Sequence, residues 1–383
     1  MSVEKDWRLK EANNFRLTCL LFKEQRSKCY YNKQMLKSLS KKIAIDLGSA
    51  QIKLLVVDEL KTDVWDLSPL DFKNKVIIAD ACIARRKDNH KLLAIGGEAL
   101  AMRGRLDSLV EIVFPFQQSR IMDQEAAHLL LKELFKKILN GLVLNPSVMV
   151  VSKANATPLT RQLLSQLFYD LGFARVDLIA EPLAAAIGGG VPVADSSGTL
   201  FLQMGASEVS INMISLGSIL FSQSSDWGAH YLNTKIIDHL ALNENLAISW
   251  DSAELLKRQV FALQKSSHSL SVTGKTISGA NPLELSIKSS DLAAIAKLLK
   301  IEYQALFDSL LAQLPPDLMA DVLQKGLLLS GGLAQLNGLE AFFSQQFALP
   351  VALLAEPDLL AIMGAAAMVK NIDLFSNSLS FDF

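Results

Sequence analysis

Cysteine is scarce: three residues in 383, Cys19, Cys29 and Cys82, with no Cys-x-x-C pair and no Cys/His cluster. That excludes a disulfide framework and a zinc site, and suits a reducing compartment. Long hydrophobic runs are also missing. None approaches the roughly 20 apolar residues that span a bilayer, so the sequence predicts no membrane-crossing helix. An excess of either charge is missing too: 38 Lys/Arg stand against 39 Asp/Glu, a formal net charge of −1. The chain as a whole is therefore neither a nucleic-acid binder of the polybasic kind nor an acidic tail protein. What is present is apolar bulk. Half the residues are hydrophobic and a fifth charged, the composition of a globular chain long enough for two domains.

The small net charge hides an uneven distribution. Residues 1–42 carry eleven Lys/Arg and four Asp/Glu, net +7, which leaves net −8 for the remainder. In this basic extension Trp7, Phe15 and Leu17 to Phe22 alternate with Arg8, Arg16, Lys23 and Arg26, a mixture suited to an anionic membrane surface. Its apolar run of six residues, with no small-residue cleavage site behind it, is not a secretory signal. Two other readings stand beside membrane attachment: a solvated leader, and an upstream start codon ahead of Met35-Leu36-Lys37.

Beyond the extension one pattern occurs twice. Ile43 to Leu54 predicts a strand, a tight turn at Gly48 and a second strand, and Leu200 to Ile211 aligns with it without a gap. Gly48 falls on Gly205, and Ser49-Ala50 on Ala206-Ser207. Such a turn presents backbone N–H groups where no bulky Cβ blocks a phosphate. Gly48, Ser49, Ala50, Gly205, Ala206 and Ser207 are therefore candidate phosphate contacts. Asp46, at the end of the first strand, is a candidate to hold magnesium through its waters, and Lys53 a point charge for a phosphate.

Thr157-Pro158 predicts a helix start, with Leu159, Leu163, Leu164, Leu167, Phe168 and Leu171 on one apolar face before Gly172. Glu181-Pro182 opens a helix of small residues able to pack closely against another, and a last helix, about 359–370, carries Gly364-Ala365-Ala366-Ala367. Glu181 either polarises a water or merely complements the helix dipole. Gly331-Gly332, after the apolar strand Leu327 to Ser330, would let backbone approach a ligand. Glu254 and Lys257, three apart on one helix face, read as a surface ion pair or as a nucleoside contact.

Taken in order, these segments resemble the actin-like ATPase superfamily, and most closely the MreB family of bacterial actins, from about Ile43 to Val369. Asp46-Leu47-Gly48-Ser49 matches the first phosphate motif. Leu178 to Gly188 matches the first connecting helix, Gln203 to Val209 stands at the second phosphate motif, and Leu329-Ser330-Gly331-Gly332 at the adenosine motif. Gly96, Glu98-Ala99, Met102, Gly104-Arg105 and Pro315-Pro316-Asp317 match outside the nucleotide motifs. The resemblance implies an α/β, actin-like (ribonuclease H-like) duplicated fold with a nucleotide cleft between two domains. The first domain would span 43–190, with a small insertion at about 71–125 built on a hairpin of Val76 to Arg86 and Lys91 to Gly96, and the helix 359–370 returning to it. The second would span 195–357, with an insertion at about 228–322.

Functionally, the resemblance implies ATP and Mg2+ as cofactors, with Asp46 and Glu181 as catalytic candidates and Asp46 at the metal. Gly48, Ser49, Ala50, Lys53, Gly205, Ala206, Ser207, Glu254, Lys257, Gly331 and Gly332 would bind nucleotide. It implies self-assembly into cytoskeletal filaments that maintain cell shape, cytoplasmic and peripheral at the inner face of the membrane. The N-terminal segment would provide membrane contact, cell-wall elongation proteins would be partners, and nucleic acid would not. A non-polymerising adaptor similar to PilM or FtsA is the alternative, since Lys53 is typical of actin and PilM; a small-molecule kinase ranks third.

The motifs also depart from the family. Its second phosphate motif is Asp-x-Gly-Gly-Gly-Thr-Thr, whereas the chain has Gln203-Met204-Gly205-Ala206-Ser207-Glu208-Val209. An aspartate becomes an amide and a threonine a carboxylate, which predicts weakened hydrolysis. A Glu208 carboxylate at about 4 Å from a γ-phosphate would repel it by on the order of 4 kcal/mol, whereas a side chain turned to solvent would cost nothing. Leu333 replaces a usual glycine and is expected to narrow the nucleoside slot.

Overall fold

The computed structural model describes residues 40–60, 64–67, 69–104, 107–117, 120–139, 144–279 and 281–370. The basic extension as far as residue 39, and Arg105, lie outside them. The chain divides into two units: one runs to Ser196 and takes in Ser215–Ser218 and the segment from Leu359; the other holds Ser197–Ile214 and Ile219–Asp358.

The first unit is built on a five-stranded sheet in the order Arg175–Ala180, Ser147–Ser152, Lys42–Leu47, Gln51–Val56, Ile77–Asp80. Lys42–Leu47 and Gln51–Val56 form the antiparallel hairpin around Gly48, and Ser147–Ser152 runs parallel to the first of them. Strand alternation sends Ile43, Ile45, Leu47, Ile52 and Leu54 to one face, where they are buried with Leu130, Leu131, Leu134 and Phe135 of the Gln124–Ile138 helix. Leu164, Leu167 and Phe168 of the Pro158–Asp170 helix complete that core. Phe135, Phe168 and Phe173 meet edge to face at 5.0–6.2 Å. Thr157 caps the second of these helices by accepting from the Thr160 amide. The apolar stripe expected along that helix is narrower than its leucines suggest: Leu159 is 64% and Leu163 45% exposed. They lie at the margin of the face on which Leu164, Leu167 and Phe168 are buried.

Two helices of small residues, Glu181–Gly188 and Leu360–Lys370, pack against each other and against this sheet. The approach is backbone to backbone. A Cβ on Gly188 would lie 2.0 Å from the Leu360 carbonyl oxygen, and one on Gly364 1.9 Å from that of Ala184.

The strand expected over Val76 to Arg86 is two strands. Ile77–Asp80 joins the main sheet beside Gln51–Val56, whereas Ile83–Arg86 pairs with Leu92–Ile95 and Val110–Val113 in a separate three-stranded sheet. The chain bends at the fully buried Ala81-Cys82, whose amides bond to Ala50 and Asp80 carbonyls. Burial pushes the Cys82 thiol up to about 12, so it stays protonated. Arg85, nearly enclosed, pairs with Glu111 of its own sheet at 2.8 Å and ties that sheet to the Gln124–Ile138 helix through Asp123 at 2.7 Å, which also caps that helix.

The second unit repeats the plan. Its sheet is ordered Ser218–Ser225, Val209–Ser215, Thr199–Met204, Leu327–Ser330, Val351–Leu353. Numbered within its own unit, each sheet has the order 3-2-1-4-5, with strands 1 and 2 antiparallel and 1 and 4 parallel. Leu200, Leu202, Met204, Val209, Ile211 and Met213 face a large core containing Tyr303, Phe307 and Phe343. A smaller sheet of Leu246–Ala247, Ser269–Thr276 and Pro282–Lys288 lies in the expected insertion. Among the described residues no helix is long and apolar enough to cross a membrane.

Candidate functional site

In the first unit, antiparallel register places Asp46 opposite Lys53, and Lys53 Nζ lies 3.2 Å from Asp46 Oδ2, both side chains about nine-tenths enclosed. Burial pushes the Asp46 carboxyl up, Lys53 opposes this, and the nearby Glu181 charge adds to it. Parallel register carries the neighbouring strands to the same edge, with Asp46 opposite Val151 and Ser152 opposite Ala180. One residue further on, Lys153 and Glu181 form an ion pair, Nζ to Oε2, each side chain 13% exposed. Glu181 is the first residue of its helix, so it also complements the dipole. At the turn itself, a Cβ on Gly48 would stand 2.4 Å from the Gln51 carbonyl oxygen. Ser49 and Ala50 beside it are half-buried.

In the second unit the matching turn is closed by the Gly205 amide donating to the Glu208 carbonyl at 2.9 Å. The helix Ala229–Asn243 starts against it: Ala229 and His230 amides donate to the Gly205 and Ala206 carbonyls, and a Cβ on Gly228 would lie 2.6 Å from Ala206 O. Gly205, Ala206 and Ser207 are half-buried. Gln203 and Glu208 are 5% and 6% exposed, so the solvent-turned Glu208 is not the conformation adopted.

Glu254 and Lys257 are paired at 2.5 Å, with Lys257 only 5% exposed, so of the two readings the surface pair is not what forms. Burial works to raise the Glu254 carboxyl, but hydrogen bonds from Lys257, Asn233 and Arg258 hold it at about 2. Burial lowers the Lys257 ammonium as well, against the opposing pull of its Glu254 partner.

Two expectations at the adenosine motif are revised. Gly331, at φ 92°, would put a Cβ 2.2 Å from the Met204 carbonyl oxygen, so packing between adjacent strands already requires glycine there. Only Gly332 is open, with Asp358 Cβ at 3.8 Å its nearest neighbour. Leu333 does not narrow a slot: it is 4% exposed and belongs to the second unit's core.

A family model described as MreB/Mbl protein matches residues 40–377. The chain belongs to the MreB/Mbl family. The cell shape-determining protein Mbl of Bacillus subtilis is 26% identical over 335 residues, covering 86% of this chain and 96% of the relative. The cell shape-determining protein MreB of Escherichia coli is 25% identical over 349 residues, covering 89% and 96%. Among solved structures, MreB5 of Spiroplasma citri bound to ADP superposes with a TM-score of 0.81 at 24% identity, over 88% of this chain and 98% of that one. The MamK double helical filament gives 0.66 at 17% identity, over 87% and 99%. The fold is actin-like.

Within this MreB/Mbl chain, sequence reasoning missed Lys153, Asn233 and Arg258. No motif surrounds Lys153, and only the register of two parallel strands brings it to Glu181. Asn233 and Arg258 had a weak signal, since Arg258 stands four residues after Glu254 on the same helix. The magnesium expected at Asp46 fits this donor set poorly, because Asp46 and Glu181 each already hold a lysine ammonium.

Proposed function

We propose that this chain is a nucleotide-responsive bacterial actin: it binds ATP through its two hairpin turns and assembles into filaments that help set cell shape, with slow hydrolysis. The observation that carries the reading is the repeated turn. Two sheets of one order each end their central hairpin in half-buried small residues, an arrangement suited to anions. Relatives support it: MreB5 was crystallised with ADP and with AMPPNP, and MamK was solved as a double helical filament. Gln203 and Glu208 are the reason for proposing slow hydrolysis. The basic residues up to 42 supply the membrane contact in this reading, holding filaments at the inner membrane face beside cell-wall elongation proteins.

The test is titration of a fluorescent ATP analogue into wild type, Ser49→Asp and Ala206→Asp. Both positions are half-buried turn residues, and thermal melting of each variant beside wild type separates lost binding from lost folding. Each added carboxylate is expected to weaken binding at least about thirtyfold, the effect of a like charge at a few ångström in a surface-like dielectric. Unchanged affinity in both variants would place the nucleotide elsewhere, and no binding by wild type would favour the adaptor.

A further inference from the structure

Four charged side chains of the first unit converge on one sheet edge in alternating sign. Asp46 is held by Lys53 at 3.2 Å, and Glu181 by Lys153. All four are between 10% and 13% exposed, too enclosed for bulk water to screen them. The strand register explains the convergence: Lys42–Leu47, Ser147–Ser152 and Arg175–Ala180 run parallel and end together, with Lys53 reaching in from the antiparallel partner.

A carboxylate beside a polyphosphate needs positive charge between them, and magnesium commonly supplies it through one or two carboxylates plus phosphate oxygens. Here lysines already supply it. The corresponding strand position in the second unit, Gln203, adds no charge at all. We propose that Lys53 and Lys153 take the place of the divalent cation, so that this chain binds nucleotide phosphates without magnesium, and that Lys153 is the positioning residue that keeps Glu181 neutralised. The inference rests on the nucleotide reading above, and concerns what accompanies the phosphates.

Two consequences follow from the charges. Removing Lys153 takes away the ammonium paired with Glu181, and in this reading a divalent cation then becomes the means of joining that carboxylate to the phosphates. Replacing it with arginine keeps the positive charge and the neutral quartet.

The experiment compares the affinity of the full-length protein for a fluorescent ATP analogue in excess EDTA and in millimolar magnesium, for wild type, Lys153→Arg and Lys153→Met. Wild type and Lys153→Arg are expected to bind equally in both buffers, within about threefold, whereas Lys153→Met binds at least about tenfold tighter with magnesium. Wild type that binds only with magnesium would overturn the inference and leave the nucleotide reading standing. Equal binding in both buffers by Lys153→Met as well would overturn the role given to Lys153. Absence of binding in either buffer would overturn the nucleotide reading, and this inference with it. The wild-type comparison needs no variant, so it decides the cation question even where a substitution impairs folding.

Discussion

Gly364→Val is expected to destabilise the first unit by about 3 kcal/mol or more, the upper end of what overpacking costs. A single Cβ at this position already falls 1.9 Å from the Ala184 carbonyl oxygen and 2.9 Å from the Gly188 amide nitrogen. Both obstacles are backbone of the Glu181–Gly188 helix, so no rotamer change relieves them. Separating the helices would also lift Leu360–Lys370 from the sheet on which Ala365, Ala366 and Ala367 are buried. For a unit of this size the melting temperature should drop by roughly 10 °C. Gly332→Ala serves as the control, since its Cβ would meet Asp358 Cβ at an ordinary contact distance of 3.8 Å and less than about 1 kcal/mol is expected. Calorimetry showing Gly364→Val melting with wild type would mean that the two helices do not approach as described.

Replacing Glu208 has the second large effect, on ligand rather than fold. This carboxylate is 6% exposed in the turn closed by its own carbonyl, where a bound phosphate would meet it without much water between. At about 4 Å and a surface-like effective dielectric, one unit of like charge costs on the order of 4 kcal/mol, or about three decades of affinity. Glu208 also has a partner of its own in this structure, so Glu208→Thr should tighten ATP binding by about tenfold rather than by the full three decades. ADP, which lacks the γ-phosphate, should respond less. Equilibrium titration of both nucleotides checks this; an unchanged ATP affinity would mean that the side chain is neutralised within the second unit.

Much of the fold could be read from residues that repeat. Gly48 and Gly205, with small residues behind them and apolar strands on both sides, mark the duplicated hairpins, and the sheets built on them share one strand order. Ala184-Ala185-Ala186 and Gly364-Ala365-Ala366 likewise announced helices meant to lie close, because residues without bulk have little other reason to be grouped at helical spacing. The errors came where direction or distance decides. Leu333 occupies a motif position, but a motif does not say which way a side chain points, and this one points into the core. Leu159 and Leu163 have the right period and still stay exposed at the margin of the buried face. Val76 to Arg86 is apolar enough for one strand, yet buried Ala81-Cys82 turn the chain from one sheet to another. Lys153 was invisible for the most basic reason: its partner is 28 residues away, and only the pairing of parallel strands brings the two together.

Nucleotide-dependent assembly is the claim on which the account turns. Electron microscopy of the purified full-length protein, with AMPPNP and without nucleotide, tests it most directly. The account predicts filaments with AMPPNP, few or none without it, and none for Ala206→Asp in either condition. A protein that binds AMPPNP and stays dispersed at every concentration would contradict it, and would identify the chain as a non-polymerising adaptor on an actin-like fold.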